Sequence, residues 1–63
     1  MYSNRVMDER INDRIHNERD RKILHRRKID GITYERLAME FDMSTRQIKN
    51  IVYKYEPILH WNS

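Results

Sequence analysis

The 63-residue chain has no cysteine, a single glycine, a single proline and no long apolar run. Without cysteine it can form neither a disulfide bond nor a thiolate metal site. No stretch approaches the roughly 20 apolar residues that a membrane-spanning helix needs. The N-terminal residues, charged from Arg5 onward, lack the apolar segment of a signal peptide. We therefore expect a cytoplasmic protein without a membrane partner.

Charged residues are abundant, at 37% of the chain, and the candidate helical segments are rich in arginine, isoleucine, glutamate and lysine. The alternation of apolar and polar residues that is typical of strands does not extend over any useful length. A chain this short buries only about 60% of its unfolded surface, which favours one small core. The composition predicts an all-α fold, a small domain of three to four helices.

The net charge of +3 is too small by itself to indicate a nucleic-acid ligand, but the charge is unevenly distributed. Residues 19–32 hold six basic and two acidic side chains, a net +4, and residues 44–63 hold three and one, a net +2. Residues 33–43 carry −2 and residues 1–18 carry −1. Two basic blocks thus flank an acidic one, and their position in the fold must decide whether they bind anything.

Turn and capping residues divide most of the chain into three helices. Gly31 directly follows the helical stretch 19–30. At the position just past a helix, glycine adopts the left-handed conformation without steric penalty. Thr33 and Ser44 are suited to cap the two helices that follow them. Pro57 disfavours helical geometry in the residue before it, so we expect the last helix to end there.

The first 18 residues leave two interpretations open. An apolar stripe with a four-residue spacing is formed by Met7, Ile11, Ile15 and Ile23. Arg19 interrupts this stripe. The pattern therefore predicts either one helix from about residue 5 to residue 29, or two helices separated near Asn17, which could cap the second.

The central part of the chain satisfies the packing requirements of a helix-turn-helix. Such a motif needs a small residue where two helices cross and apolar residues in the turn and second helix. Ala38 is the small residue, Met43 can anchor the turn, and Ile48 follows five residues later. Asp42 occupies the turn position that glycine usually fills, and aspartate tolerates the left-handed region better than most residues. The other inward positions are Leu37, Phe41, Ile51, Val52 and Tyr55.

Several residues of this segment carry a resemblance to a known protein family. They are Arg27, the run Gly31-Ile32-Thr33-Tyr34-Glu35, the pair Leu37-Ala38, and Met43-Ser44 followed by Ile48. With them the segment resembles the helix-turn-helix of region four of the bacterial sigma factors, and it is similar to the related small phage and mobile-element regulators. The resemblance covers about residues 19–55 and implies promoter-like or operator DNA as the ligand. It also implies that Arg27 is partly buried and structural.

The second helix of this unit, about residues 44–55, contains three cations and no acidic residue. Its outward side chains include two amides, Gln47 and Asn50, which can bond adenine edges bidentately. We expect this recognition helix to lie in the major groove of double-stranded DNA. The predicted base contacts are Thr45, Arg46, Gln47, Lys49, Asn50 and Tyr53. The predicted phosphate contacts, which position the protein without reading sequence, are Arg26, Lys28, Thr33, Ser44 and Lys54.

The sequence therefore predicts a transcriptional regulator, with a helix-turn-helix domain over residues 19–56 that binds duplex DNA as a homodimer. A dimer is expected because one recognition helix contacts few base pairs. The helical extension 1–18 and the apolar tail 57–63 are candidate dimer segments, although the tail could instead fold back over the core. The apolar residues that motivate this expectation are Met7, Ile11, Ile15, Ile58, Leu59 and Trp61. The rival function is a protein-interaction module that binds or inhibits RNA polymerase or another host factor.

No motif predicts an enzyme, a cofactor or a metal site. His16, His25 and His60 lack ligand spacing, and we expect them to be exposed or at helix ends. The sequence also shows no nucleophilic triad, no glycine-rich phosphate loop and no paired carboxylates in a plausible cleft. Tyr53 is expected on the surface, whereas the aromatic residues expected in the core are Tyr34, Phe41, Tyr55 and Trp61.

Overall fold

The computed structural model describes residues 4–59, which form four helices and, within that range, no strand. The helices are α1 (Asn4–Arg14), α2 (Glu18–Lys28), α3 (Tyr34–Glu40) and α4 (Thr45–Leu59). The predicted all-α fold of three to four helices is confirmed. None of the described helices is long and apolar enough to cross a membrane.

The connection between α1 and α2 settles which of the two N-terminal interpretations is right. Asn17 has an extended backbone, and its side chain accepts a 3.0 Å hydrogen bond from the backbone N–H of Asp20. This cap satisfies a donor that the first turn of α2 would otherwise leave without a partner. Arg21 reaches back across the break to the carbonyl oxygen of Ile15, at 3.4 Å. Two helices separated near Asn17 are therefore present, not one long helix.

The two turns that frame α3 follow the predicted local chemistry. Gly31 has a φ of 72° and Asp42 a φ of 56°, so both lie in the left-handed region. Thr33 caps α3, because its hydroxyl oxygen accepts a 3.2 Å hydrogen bond from the N–H of Arg36. At the other end, the N–H of Met43 donates to the carbonyl oxygen of Ala38 at 2.9 Å and ties the turn to the helix.

One core joins all four helices. Its buried apolar residues are Met7, Ile11, Ile15, Ile23, Leu24, Leu37, Ile48, Val52 and Leu59. The inward residues predicted for the helix-turn-helix either belong to this core or pack against it while partly exposed, as Ala38, Phe41, Met43, Ile51 and Tyr55 do. Helix α1 and the residue that follows it are therefore part of the same core, since Met7, Ile11 and Ile15 all lie in it.

The predicted end of α4 before Pro57 is wrong, because the helix continues to Leu59 with the proline inside it. Pro57 itself is exposed, whereas Leu59 is fully buried in the core. Burial of a leucine side chain stabilises a fold by about 1.5–3 kcal/mol, comparable with the roughly 3 kcal/mol cost of a proline in a helix interior. Residues 57–59 thus belong to α4, while Trp61 lies outside the described residues.

The same burial reduces the number of residues available to the suggested dimer interface. Met7, Ile11, Ile15 and Leu59 are at most 7% exposed within one chain, so they are not available to a second copy. Ile58 is 40% exposed and remains on the surface. The apolar excess that motivated a dimer interface is mostly explained by the intramolecular core.

Candidate nucleic-acid interface

The N-terminus of α4 is fixed by a reciprocal cap. The N–H of Gln47 donates to the Ser44 hydroxyl oxygen at 3.1 Å, and the N–H of Ser44 donates to Gln47 Oε1 at 3.0 Å. This capping box satisfies two helix-end donors and sets the direction in which α4 leaves the turn. A base contact by Gln47 would compete with this cap. Ser44 can still donate its hydroxyl proton, so its predicted phosphate contact remains open.

The outer face of α4 brings together most of the predicted base contacts. Arg46, Lys49, Asn50 and Tyr53 are all exposed, and Thr45 is half-buried at the start of the helix. Within residues 4–59, no acidic side chain lies within salt-bridge distance of Arg46 or Lys49. The buried residues Ile48 and Val52 hold the helix from its opposite side, so this face is left without a role in the core.

Tyr34, which was predicted in the core, packs against it while partly exposed. It is half-buried at the first position of α3, and its ring centroid lies 6.4 Å from that of Tyr53 with the planes at 80°. The Arg27 guanidinium lies 4.2 Å from the Tyr34 centroid, and Lys49 Nζ lies 5.7 Å from it. We call Arg27, Tyr34, Lys49 and Tyr53 the tyrosine cluster, which α2, α3 and α4 form together.

Arg27 has the structural position that the sigma-factor resemblance implied. Its Nη1 donates to the carbonyl oxygen of Ile32 at 3.0 Å, and its guanidinium stacks on the Tyr34 ring. Such a cation–π contact stabilises a partly exposed site by about 0.5–1 kcal/mol. Arg27 therefore holds the connection between α2 and α3 and fixes the ring on which the tyrosine cluster is built.

Arg26, a predicted phosphate contact, forms hydrogen bonds that join α2 to α3. Its Nε and Nη2 donate to the two carboxylate oxygens of Glu40, each at 3.0 Å, and its Nη1 donates to Asp30 at 3.1 Å. Hydrogen bonds to Glu40, and then to Asp30, raise the pKa of the Arg26 guanidinium. A bidentate arginine–carboxylate pair is among the stronger polar contacts in proteins. The side chain is already engaged on two carboxylates, which a phosphate would have to displace.

Lys28, another predicted phosphate contact, is likewise paired within the domain. Its ammonium pairs with the carboxylate of Glu56 on α4, and the Lys28 side chain is only 18% exposed. This contact joins the C-terminal ends of α2 and α4, so it contributes to the packing of the domain. Two other predicted phosphate contacts are exposed on the surface. The Nζ of Lys54 lies 5.3 Å from the Tyr55 centroid, and Thr33 lies at the cap of α3.

Two further polar contacts between helices were not predicted from the sequence. The hydroxyl of Tyr55 donates to Asp20, a residue that is only 6% exposed, at 2.8 Å, and Arg19 donates to the other oxygen of that carboxylate. The hydrogen bond to Asp20, and then burial, raise the pKa of the Tyr55 phenol. His25, expected at the surface or at a helix end, is half-buried in the last turn of α2 with Nε2 2.6 Å from the Asp8 carboxylate. The Tyr55–Asp20 contact joins residues 35 positions apart, and the His25–Asp8 contact residues 17 positions apart.

The described part of the chain contains no group of three or more histidine, aspartate or glutamate side chains that could hold a metal ion. One open cavity of about 360 Å³ lies between α2 and the end of α3. It is lined by Lys22, His25, Arg26, Glu40 and Phe41. Met39 is 81% exposed on α3. These residues form a second surface, distinct from the outer face of α4.

Comparisons with protein-family models, with curated proteins and with solved structures find no match to this chain.

Proposed function

We propose that this protein binds double-stranded DNA in a sequence-specific manner, with α4 as the recognition helix in the major groove. The observation that carries the proposal is the outer face of α4. It presents three cations, Arg46, Lys49 and Lys54, none of them paired with an acid of residues 4–59, and between them the amide of Asn50. An exposed helix face that serves only solubility usually mixes charges of both signs.

In this proposal Arg46 and Asn50 read base edges. They are four residues apart and opposite the buried residues Ile48 and Val52, so they project furthest from the domain. Arginine pairs bidentately with guanine and asparagine with adenine in the major groove. The capping box at the start of α4 supports this role, because it holds the N-terminal turn, which enters the groove in helix-turn-helix proteins, in one orientation.

We further propose a cytoplasmic transcriptional regulator of the kind encoded by phages and mobile elements, acting as a homodimer on a two-part site. The size of the recognition surface supports the dimer, since one helix contacts too few base pairs for high specificity. Contact with RNA polymerase would accompany DNA binding if the protein activates transcription. The exposed Ile58 is one residue of the described chain that a dimer could cover.

A second candidate function is a protein-interaction module, and a specific surface favours it. Met39 is 81% exposed, and the next two residues of the chain, Glu40 and Phe41, line the cavity beside α2. Exposed apolar side chains beside a cavity are typical of protein contacts. Through this surface the domain would bind or inhibit RNA polymerase or another host factor, without any use of the α4 face.

The proposal is tested by selecting bound duplexes from a random DNA pool with the purified protein. Enrichment of one sequence, with an affinity that falls steeply as salt concentration rises, is the expected result. A two-fold symmetric enriched sequence would support the dimer as well. Failure to enrich any sequence, combined with binding to RNA polymerase that Met39→Ser abolishes, would favour the protein-interaction module instead.

A further inference from the structure

We infer that Tyr34, Lys49 and Tyr53 of the tyrosine cluster bind the phosphate backbone of one DNA strand and do not read bases. This inference rests on the proposed function and deepens it by separating α4 into a part that reads sequence and a part that positions the helix. It changes the assignment of Lys49 and Tyr53, which the sequence predicted as base contacts, and it adds Tyr34, which the sequence placed in the core.

The position of these residues around α4 is the first support. An α-helix turns by about 100° per residue, so Arg46 and Asn50 lie opposite the buried Ile48 and Val52, at the crest of the exposed face. Lys49 and Tyr53 form the next stripe, on the flank that faces α3, where they meet Tyr34. A helix in a groove meets base edges at its crest and the backbone at its flanks. The cluster is therefore placed for a backbone contact.

The chemistry of the cluster is the second support. Lys49 Nζ is 5.7 Å from the Tyr34 centroid, so the ring faces the ammonium without taking its hydrogen-bond donors. Two phenol side chains, of Tyr34 and Tyr53, are brought together by the 6.4 Å ring contact. Ammonium and hydroxyl donors suit a phosphate oxygen. The Arg27 guanidinium stacked on Tyr34 fixes the ring, so little ordering is required when DNA binds.

The pairing of two other cations is the third support. Arg26 and Lys28 are engaged by Glu40 and Glu56, so these cations of α2 are already paired within the domain. Lys49, in contrast, lies beside Tyr34 and forms no salt bridge with an acid of residues 4–59. A backbone contact on this flank is therefore expected to use Lys49 and the hydroxyls of Tyr34 and Tyr53.

The test compares variants on two duplexes, the sequence enriched by selection and a scrambled duplex of equal length, over a series of salt concentrations. Lys49→Gln is expected to weaken binding to both duplexes by the same factor, about tenfold. The slope of log affinity against log salt should become shallower by about 0.9, the value for one phosphate contact. Tyr34→Phe and Tyr53→Phe should weaken binding to both duplexes equally. The salt slope should not change, because the hydroxyl that is removed carries no charge.

Two control variants distinguish a backbone contact from a general charge effect and from base reading. Lys22→Gln removes the same charge from an exposed site outside the cluster, so its slope should stay close to that of the wild type. Asn50→Ala should lose affinity for the selected duplex only. A loss confined to the selected duplex for Lys49→Gln, or an unchanged slope, would overturn the backbone assignment while leaving DNA binding intact. If the wild-type protein binds neither duplex, the proposed function fails, and this inference fails with it.

Discussion

Two cations of α2 and the three cations on the outer face of α4 differ in their partners, although all five belong to basic blocks of the sequence. On α2, Arg26 and Lys28 are each paired with a carboxylate from another helix, Glu40 and Glu56 respectively. On the outer face of α4, Arg46, Lys49 and Lys54 form no salt bridge with an acid of residues 4–59. The block with the larger net charge therefore contributes two cations to the fold, and the smaller block remains available to a ligand.

Local net charge is thus a poor guide to a binding surface. Whether a cation is available to a ligand depends on whether the fold places a carboxylate beside it. A cation that already has a bidentate partner must lose it before it can contact a phosphate, whereas a solvated cation releases only its counterion. Substitutions can test this difference. The first concerns the packing of α3, on which the position of α4 depends.

The largest effect is expected from Ala38→Leu. Ala38 packs against the core, and its carbonyl oxygen accepts the hydrogen bond from Met43 that closes the turn before α4. Added volume in a packed region typically costs about 1–3 kcal/mol, a large part of the stability of a domain this small. Thermal unfolding should show a clear decrease in Tm. An unchanged Tm would mean that α3 and α4 do not approach each other closely at Ala38.

Arg46→Ala and Asn50→Ala should separate binding from stability. Each is expected to weaken binding to the selected duplex by about 1–3 kcal/mol and to relax the sequence preference at one base pair. Their unfolding free energies should stay within about 0.5 kcal/mol of the wild type, because both side chains are exposed and outside the core. Binding measured by fluorescence anisotropy, alongside thermal unfolding, checks both. A folded double variant with undiminished DNA affinity would show that the outer face of α4 is not the DNA-binding surface.

The local features of the fold could be predicted because each depends on a few neighbouring residues. Gly31 and Asp42 have the positive φ values that their residue types allow, and Thr33 caps the helix that follows it. The exposed face of α4 follows from the helical spacing of Ile48 and Val52. In all these cases the interaction that decides the structure lies within a few residues of the position concerned.

The pairing of polar side chains could not be predicted, because the partners are far apart in sequence. Arg26 and Glu40 are separated by 14 residues, and Lys28 and Glu56 by 28. Nothing in the local sequence distinguishes these cations from solvated ones. The continuation of α4 past Pro57 likewise depends on burial of a single residue in the tertiary core. The contacts of the Tyr34 ring with Tyr53 and Lys49 could not be predicted either, because they join residues of different helices.

Tyr55→Phe should remove a contribution to stability that depends on pH. Because the hydrogen bond to Asp20 raises the pKa of the Tyr55 phenol, the folded chain keeps this proton to higher pH than the unfolded chain does. The contribution, about 1 kcal/mol, is therefore fully present below about pH 10, the ordinary tyrosine pKa. It is lost as the pH rises through the raised value.

The measurement is the unfolding free energy over a pH series that runs from neutral to strongly alkaline. The difference between wild type and Tyr55→Phe should shrink at the alkaline end. Tyr53→Phe, on the exposed face of the same helix, is the matched control and should unfold with nearly the wild-type pH profile. A constant difference between wild type and Tyr55→Phe over the whole series would show that the phenol proton does not contribute as described.

The smallest effect is expected from Lys28→Gln, and it sharpens the comparison from the side of α2. Loss of the partly exposed pair with Glu56 should reduce the unfolding free energy by about 0.5–1 kcal/mol. The salt slope of DNA binding should remain that of the wild type, because the Lys28 ammonium is paired with Glu56 and is not expected to contact a phosphate. Urea unfolding and a salt titration check the two parts. A shallower slope with unchanged stability would reverse the assignment.

The most direct test of DNA binding through α4 is an NMR titration of the protein, labelled with nitrogen-15, with the duplex enriched by selection. The largest changes in backbone amide chemical shift are expected on residues 45–54 of α4 and around Tyr34. The amides near Lys22 and Met39 should change little. Large changes confined to α2 and the cavity beside Phe41, with residues 45–54 unaffected, would contradict the claim that the outer face of α4 is the DNA-binding surface.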